Sequence, residues 1–294
     1  MKKKNILITG GHGMLAFHLN RALKNENNIR TLCLGREDCD ITNREQLNQI
    51  VVDNHIDIIV NCAAYTAVDK AEEEKETADL INHRALQNIG EISQQKEIEV
   101  VHISTDYVFD GEASYPYQED HTTNPQSIYG ITKRDGETTL LNASSYATII
   151  RTAWLYDALH ANFFNTMVKL GQSKKKIQVV NDQFGTPTYA PDLANVIVKI
   201  INTDRKQTKK FGIFHFSNEG QISWYDFAHK IFSKFEITCA IHPVSSEQFV
   251  RPAPRPKFTV LDKTKIKHTF ELSIPQWETS LKQCVQQFNL NIRN

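Results

Sequence analysis

Tyr129 and Lys133 stand four residues apart in the stretch "IYGITK". On a helix that step puts both side chains on one face. A phenol alone has a pKa of ~10, and a nearby ammonium favours its ionised form. Such a pair can pass a proton to or from a carbonyl oxygen while a hydride moves at the carbonyl carbon. The spacing also arises by chance on helical surfaces, so its weight comes from what surrounds it. Upstream, "VVHISTDYVFDG" reads as an apolar strand ending on Ser104, Thr105 and Asp106. In a parallel sheet, ligands sit beyond the carboxyl ends of the strands. There Thr105 can hydrogen-bond a substrate carbonyl beside Tyr129. Asp106 can hold a substrate hydroxyl or a supporting side chain, with a cap or Asx-turn as the structural alternative. Tyr107 and Phe109 read as packing.

A second set of residues suits a dinucleotide. "TGGHGMLA" follows the first apolar run and opens a helical pattern. Gly10 and Gly13 let the backbone approach a pyrophosphate, the helix N-terminus favours the anion, and Ala16 keeps the third position small. His12 lies within this turn. An ordinary βα turn is the alternative. After the second run, "CLGREDCD" places Arg36 where a guanidinium would suit the 2′-phosphate of NADPH, whereas an acidic residue would favour NADH. A solvated loop arginine is equally compatible with Arg36. Asp40 and Ile41 are placed to frame an adenine. Ala63 and Ala64 of "NCAAYT" leave room for a cofactor, as they also would for packing alone.

The elements that must position these groups alternate. Strand patterns at 5–9, 29–34, 56–64, 99–104 and 146–152 are separated by helical patterns at 14–25, 43–54, 71–96 and 128–142. Thr42 or Asn43 is the expected cap of the second helix. Near-continuous apolar strands between helices predict an α/β fold, with a Rossmann-like doubly wound parallel sheet. Beyond residue 155 the pattern loosens. Helices are expected in "NFFNTMVKLG", "PDLANVIVKIIN" and, after a Ser223 cap, "SWYDFAHKIFSKF"; "FGIFHFS" reads as a strand and "RPAPRPKF" as a loop. The expected division is a dinucleotide-binding unit of 1–157 plus about 176–204, and a smaller α/β substrate unit of about 158–175 plus 205–294.

Composition narrows the classes. The 294 residues are 40% hydrophobic and 23% charged, with 34 basic and 34 acidic side chains. That balance argues against nucleic acid or an anionic membrane as the partner. Cys33, Cys39, Cys62, Cys239 and Cys284 are dispersed, as reduced thiols of a cytoplasmic protein would be. The apolar run after the N-terminal lysines is too short for a signal segment, and no stretch approaches the ~20 apolar residues of a membrane span. His55, His83 and His121 read as surface or cap residues, and no spacing suggests a metal site.

Together these stretches resemble the extended short-chain dehydrogenase/reductases, and more narrowly the dTDP-4-dehydrorhamnose reductase family. The carriers are "ILITGGHGML", "DIT", "NCAAYTAVDKAE", "VVHISTDYVFDG", "NPQSIYGITK", "RTAWLY", "NFFNTMVKLG", "NDQFGTPTYAPDLA" and "RPKFTVLD", in order to about residue 262. The resemblance implies hydride transfer from NADPH, or alternatively NADH, to C4 of dTDP-4-dehydro-β-L-rhamnose, as in precursor synthesis for surface polysaccharide. Tyr129 would be the proton donor, Lys133 its activator and ribose contact, and Thr105 the assistant at the carbonyl. Asp106 and Trp154 would meet the sugar, and Arg251 or Arg255 the nucleotide phosphates. Gly13, Met14, Leu15, Asp40, Ile41, Ala63, Ala64 and Tyr65 would contact the cofactor.

There are departures from the family pattern. Met14 and Ala16 replace Gln and Gly in the turn, and Ala153 replaces the serine of "RTSW". Some members bind magnesium at a homodimer interface through glutamates, one of them on the first helix. His18 stands at that position here, so magnesium is not expected. Two alternatives stay open: a reductase or epimerase of another nucleotide-activated keto-sugar, and a non-catalytic NADP-binding regulatory subunit, like that of methionine adenosyltransferase.

Overall fold

The computed structural model describes residues 3–204, 208 and 210–292. Met1 and Lys2 of the lysine run, and residues 205–207, 209 and 293–294 of the expected substrate unit, lie outside the described residues. Twelve strands are described, beginning with β1 (Lys4–Thr9), β2 (Ile29–Cys33), β3 (Ile58–Asn61), β4 (Glu99–Thr105), β5 (Ala147–Thr152) and β6 (Leu155–Tyr156). They continue with β7 (Lys176–Val180), β8 (Phe184–Gly185), β9 (Thr188–Tyr189), β10 (Gly212–His215), β11 (Ile222–Ser223) and β12 (Ala240–Val244). Six of them form one parallel sheet in the order β10-β5-β4-β3-β1-β2. The chain winds outward from β1 in both directions, which is the doubly wound topology.

Alternation along the strands explains why helices cover both faces. Ile6, Ile8, Val60 and Val101 point one way and pack with α1 (Met14–Leu23) and, later in the chain, α8 (Ala190–Asn202). Leu7, Ile59, Val100 and Ile149 point the other way, toward α2 (Arg44–Asp53), α5 (Ala85–Lys96) and α6 (Ile128–Ala143). Between α2 and α5 lie α3 (Val68–Ala71), α4 (Lys75–Asp79) and a π-helical turn, Leu80–Arg84. Caps fall where side-chain oxygens follow loops. Asn43 accepts from the N–H of Gln46 at 3.0 Å, and Ser127 accepts from that of Gly130 at 3.2 Å, opening α6.

A second core is built by α7 (Phe163–Ser173), α9 (Trp224–Lys234) and α11 (Trp277–Ile292), with α10 (Thr264–Phe270) between the last two. Phe164, Phe227, Ile231, Phe232 and Trp277 fill it. Ser223 caps α9 as expected, accepting from the N–H of Asp226 at 3.0 Å. Strand pairing crosses the expected division of the chain twice. β7 pairs with β12, although 176–204 was assigned to the dinucleotide unit, and β10 pairs with β5 in the large sheet, although 205–294 was assigned to the substrate unit. Which sheet edge a strand reaches depends on the path of the chain, and local apolar pattern carries no record of it.

The helix that carries Tyr129 and Lys133, α6, is fixed by two devices. Arg151 of β5 and Glu137 of α6 form a buried pair, with Nη2 2.7 Å from Oε2 and Nε 3.0 Å from Oε1. Against the π turn, the helix comes so close that a Cβ on Gly136 would lie 2.0 Å from the Asn82 carbonyl oxygen. That turn also aims the Asn82 side chain, which donates to Thr132 of α6 at 3.2 Å and accepts from the Tyr65 N–H at 2.8 Å. Gly136→Ala should therefore push α6 off the turn. We expect a loss of about 1–3 kcal/mol in urea denaturation, with impaired cofactor binding by fluorescence titration; an unchanged midpoint would refute the close-packing account.

Candidate active site

A cleft of about 780 Å³ opens at the carboxyl ends of β1, β2 and β3, where the winding direction reverses. Gly10, His12, Gly13, Met14 and Leu15 line its floor, Arg36, Asp40 and Ile41 one end, and Ala63, Ala64 and Tyr65 a wall. Gly10 has φ +68°, and a Cβ there would stand 2.7 Å from the Ala63 nitrogen. Gly13 precedes α1 with no side-chain cap, leaving first-turn N–H groups for an anion. These features fit the phosphate-bearing middle of a dinucleotide. Arg36 is exposed and lies 3.7 Å from Asp40, whose carboxylate accepts from Thr42. His12 leans out to Glu37 at 3.3 Å. Leu155, His160 and Ala161 also line the cleft; they lie beyond the first five strands, and sequence pattern alone does not select them.

At the end of β4 the catalytic candidates converge. The Thr105 side chain lies near enough to the Tyr129 phenol to favour its ionised form. Burial raises the Tyr129 phenol to about 12, with Asp106 adding to the rise and Thr105 opposing it. Lys133 is 1% exposed, and its Nζ donates to the Ile103 carbonyl at 2.7 Å and meets His102 Nε2 at 3.2 Å. The spacing argument expects the ammonium to lower the Tyr129 pKa. Here burial prevails, and the amine is turned toward β4. A phenol kept protonated is the form a proton donor needs.

Asp106 is buried, with Oδ1 accepting from the Thr105 hydroxyl at 3.1 Å. Burial raises its carboxyl to about 6, against lowering contributions from Thr259 and Thr105. Trp154 stacks on Trp224 with centroids 3.5 Å apart, and its backbone has φ +47°. Arg255 and Arg251 both reach Asp69 of α3, at 3.0 and 3.8 Å. Arg255 also lies over the Tyr107 ring, which meets Tyr129 edge-on. The Pro-rich loop is thereby tied to the element that follows the cofactor wall. Phe109 is packing, as expected, stacked on Tyr117.

His18 does not stand at a surface. It is buried, and its Nε2 lies 2.8 Å from Oδ2 of Asp157, which His160 Nδ1 also approaches at 2.5 Å. This is the one mixed cluster of three metal-capable side chains among the described residues. Its spacings are those of hydrogen bonds, shorter than the ~3.3 Å between ligands of an ion with ~2 Å bonds. A buried imidazole also offers nothing to magnesium, which takes oxygen ligands.

Fold and site together define an extended short-chain dehydrogenase/reductase: a switch-point dinucleotide cleft with a Thr-Tyr-Lys set at the end of the fourth strand. Comparison narrows this, because the RmlD substrate binding domain model matches residues 4–290. The chain belongs to that family, the family of the dTDP-4-dehydrorhamnose reductases. It is 36% identical, over 94% of its length and 97% of the relative's, to the dTDP-4-dehydrorhamnose reductase of Aggregatibacter actinomycetemcomitans. It is 39% identical, over 94% and 93%, to a probable dTDP-4,6-dihydroxy-2-methyloxan-3-one 4-ketoreductase of Streptomyces antibioticus. Among solved structures, the Bacillus anthracis dTDP-4-dehydrorhamnose reductase in complex with NADP superposes with a TM-score of 0.91 at 38% identity, covering 97% of this chain and 99% of that one.

The Asp157 cluster makes a stability prediction. Burial alone would raise the Asp157 carboxyl, but hydrogen bonds from His18, His160 and backbone N–H groups bring it down to about 2. A folded pKa below the unfolded value of ~3.9 gives stability that is full above pH ~4 and lost as pH falls through ~2, worth roughly 2 kcal/mol. Asp157→Asn should remove that amount at neutral pH and flatten the acid limb of the stability profile. An unaltered acid limb in chemical denaturation would overturn the assignment.

Proposed function

We infer that this oxidoreductase reduces the C4 keto group of dTDP-4-dehydro-β-L-rhamnose to give dTDP-L-rhamnose, with NADPH as cofactor. The observation that carries this is the meeting of Thr105, Tyr129 and Lys133 beside a dinucleotide cleft in a chain of this family. NADPH in the cleft would supply the hydride. Thr105 and Tyr129 hold the keto oxygen, and Tyr129 gives it a proton as negative charge develops there. Lys133, one helical turn after Tyr129 on α6, activates the phenol and contacts the cofactor ribose. Asp106 accepts from a sugar hydroxyl, Trp154 borders the sugar, and Arg255 with Arg251 faces the diphosphate. Arg36, beside the adenosine end, favours the 2′-phosphate.

The Streptomyces antibioticus relative, named for a different dTDP-keto-sugar, supports a second reading: 4-ketoreduction of another dTDP-linked 6-deoxy sugar by the same residues. Loss of NADPH absorbance with each sugar decides between them. Turnover of neither would favour the regulatory-subunit alternative.

Tyr129→Phe should lower kcat by at least ~10²-fold with little change in NADPH affinity; near-normal turnover would remove Tyr129 as donor. The Asp106 carboxyl, at about 6, should give KM an acid limb, rising as pH falls below that value and the carboxylate takes a proton. Asp106→Asn should raise KM and abolish the limb; a limb that persists in the variant belongs to another group.

A further inference from the structure

Lys133 ends a chain of hydrogen bonds whose donors and acceptors can be assigned. The main-chain N–H of Ala63 can only donate, and it meets Oδ1 of Asn61 at 3.3 Å. The Thr9 hydroxyl donates to the same oxygen at 2.6 Å. These contacts orient the amide and turn its Nδ2 donor toward Nδ1 of His102, at 3.0 Å. Nδ1 therefore accepts, and a neutral imidazole with an accepting Nδ1 carries its proton on Nε2. That nitrogen lies 3.2 Å from Lys133 Nζ. An ammonium would set donor against donor in a site where Thr9, Asn61 and His102 are wholly buried. Imidazolium is opposed by the same Nδ1 contact, and by burial and Lys133, which outweigh the Asn61 main-chain carbonyl and hold the His102 pKa well below its ordinary value.

We propose that the Thr9–Asn61–His102 chain favours the neutral amine of Lys133 in the protein without cofactor, so that the lysine gives up its proton far more readily than a free one and, as the amine, accepts from Nε2–H of His102 while donating to the Ile103 carbonyl. His102 and Asn61 are then positioning residues that act on the reaction through Lys133. The proposal rests on the reductase reading for its consequence, since each turnover leaves Tyr129 one proton short. An amine that exchanges protons readily near neutral pH suits the return of that proton. The other groups facing Lys133 are Glu137 of α6, Cys62 after β3 and Tyr129. Glu137 and Cys62 favour the ammonium, yet burial outweighs them and brings Lys133 down to about 8. Glu137 is itself paired with Arg151, and the Tyr129 phenol, at about 12, is uncharged at neutral pH.

The tautomer can be read directly. Two-bond proton–nitrogen correlation spectra of nitrogen-15-labelled protein without cofactor should show His102 as the Nε2–H form at mildly alkaline pH, where Lys133 has given up its proton. Its signal is identified by its loss in His102→Gln. Asn61→Asp, whose carboxylate can only accept, should switch it to the Nδ1–H form. An Nδ1–H form in the wild type, donated to the main-chain carbonyl of Asn61, overturns the proposal, as does imidazolium. In kinetics, both variants should move the Lys133 limb of the kcat/KM profile up by about one pH unit or more; an unmoved limb overturns the link from chain to lysine. The spectra need no substrate. The expected tautomer with no keto-sugar turnover would therefore count against the reductase reading and leave the chain's assignment intact.

Discussion

Everything at the site hangs on the contact between α6 and the π turn at Leu80–Arg84. One extra residue in that turn lifts the Asn82 main chain toward Gly136 and points its side chain at both Tyr65 and Thr132. The wall of the cofactor cleft and the helix that carries Tyr129 and Lys133 are thereby joined through one asparagine. π turns are costly locally and recur where geometry matters. Here the cost is offset by buried hydrogen bonds, and the pair is set at the end of β4 with no flexible side chain in between.

Burial then acts on every titrating group in the same place, with opposite results for acids and amines. It lifts Asp106 and Tyr129 and lowers Lys133. All three shifts disfavour charge. The groups are buried, so charge developing on a substrate oxygen would meet hydrogen-bond donors in a low-dielectric setting, where they are worth more than in water. The buried Glu137–Arg151 pair stands one helical turn beyond Lys133 and balances its own charge.

Much of this was legible in the residues. Apolar runs bounded by glycine or polar strand ends mark β1, β3, β4 and β5. The eleven residues expected along the cofactor, from Gly10 to Tyr65, all line one cleft, because each follows a strand whose end the fold gathers at the switch point. What escaped is non-local. Thr9, Asn61 and His102 are polar residues at or near the ends of three apolar strands, a signal present in the chain, yet their partnership appears only once the strands lie side by side. His160 is brought in by a loop, and no periodicity locates a loop. The placement of β7 and β10 fails to follow from pattern for the same reason. The expected effect of Lys133 on Tyr129 was argued from spacing, which says nothing about the carbonyl and imidazole that compete for the amine.

Trp154 combines two features that oppose each other. Its φ of +47° is a conformation bulky side chains avoid, whereas its ring lies flat on Trp224. Glycine at this position would relax the backbone and lose the stack in a single change. The main chain here is therefore held by its own side chain, like a bent spring kept under tension by the weight resting on it. The indole's packing on Trp224 and against Gly185 therefore has to outweigh the cost of that backbone conformation.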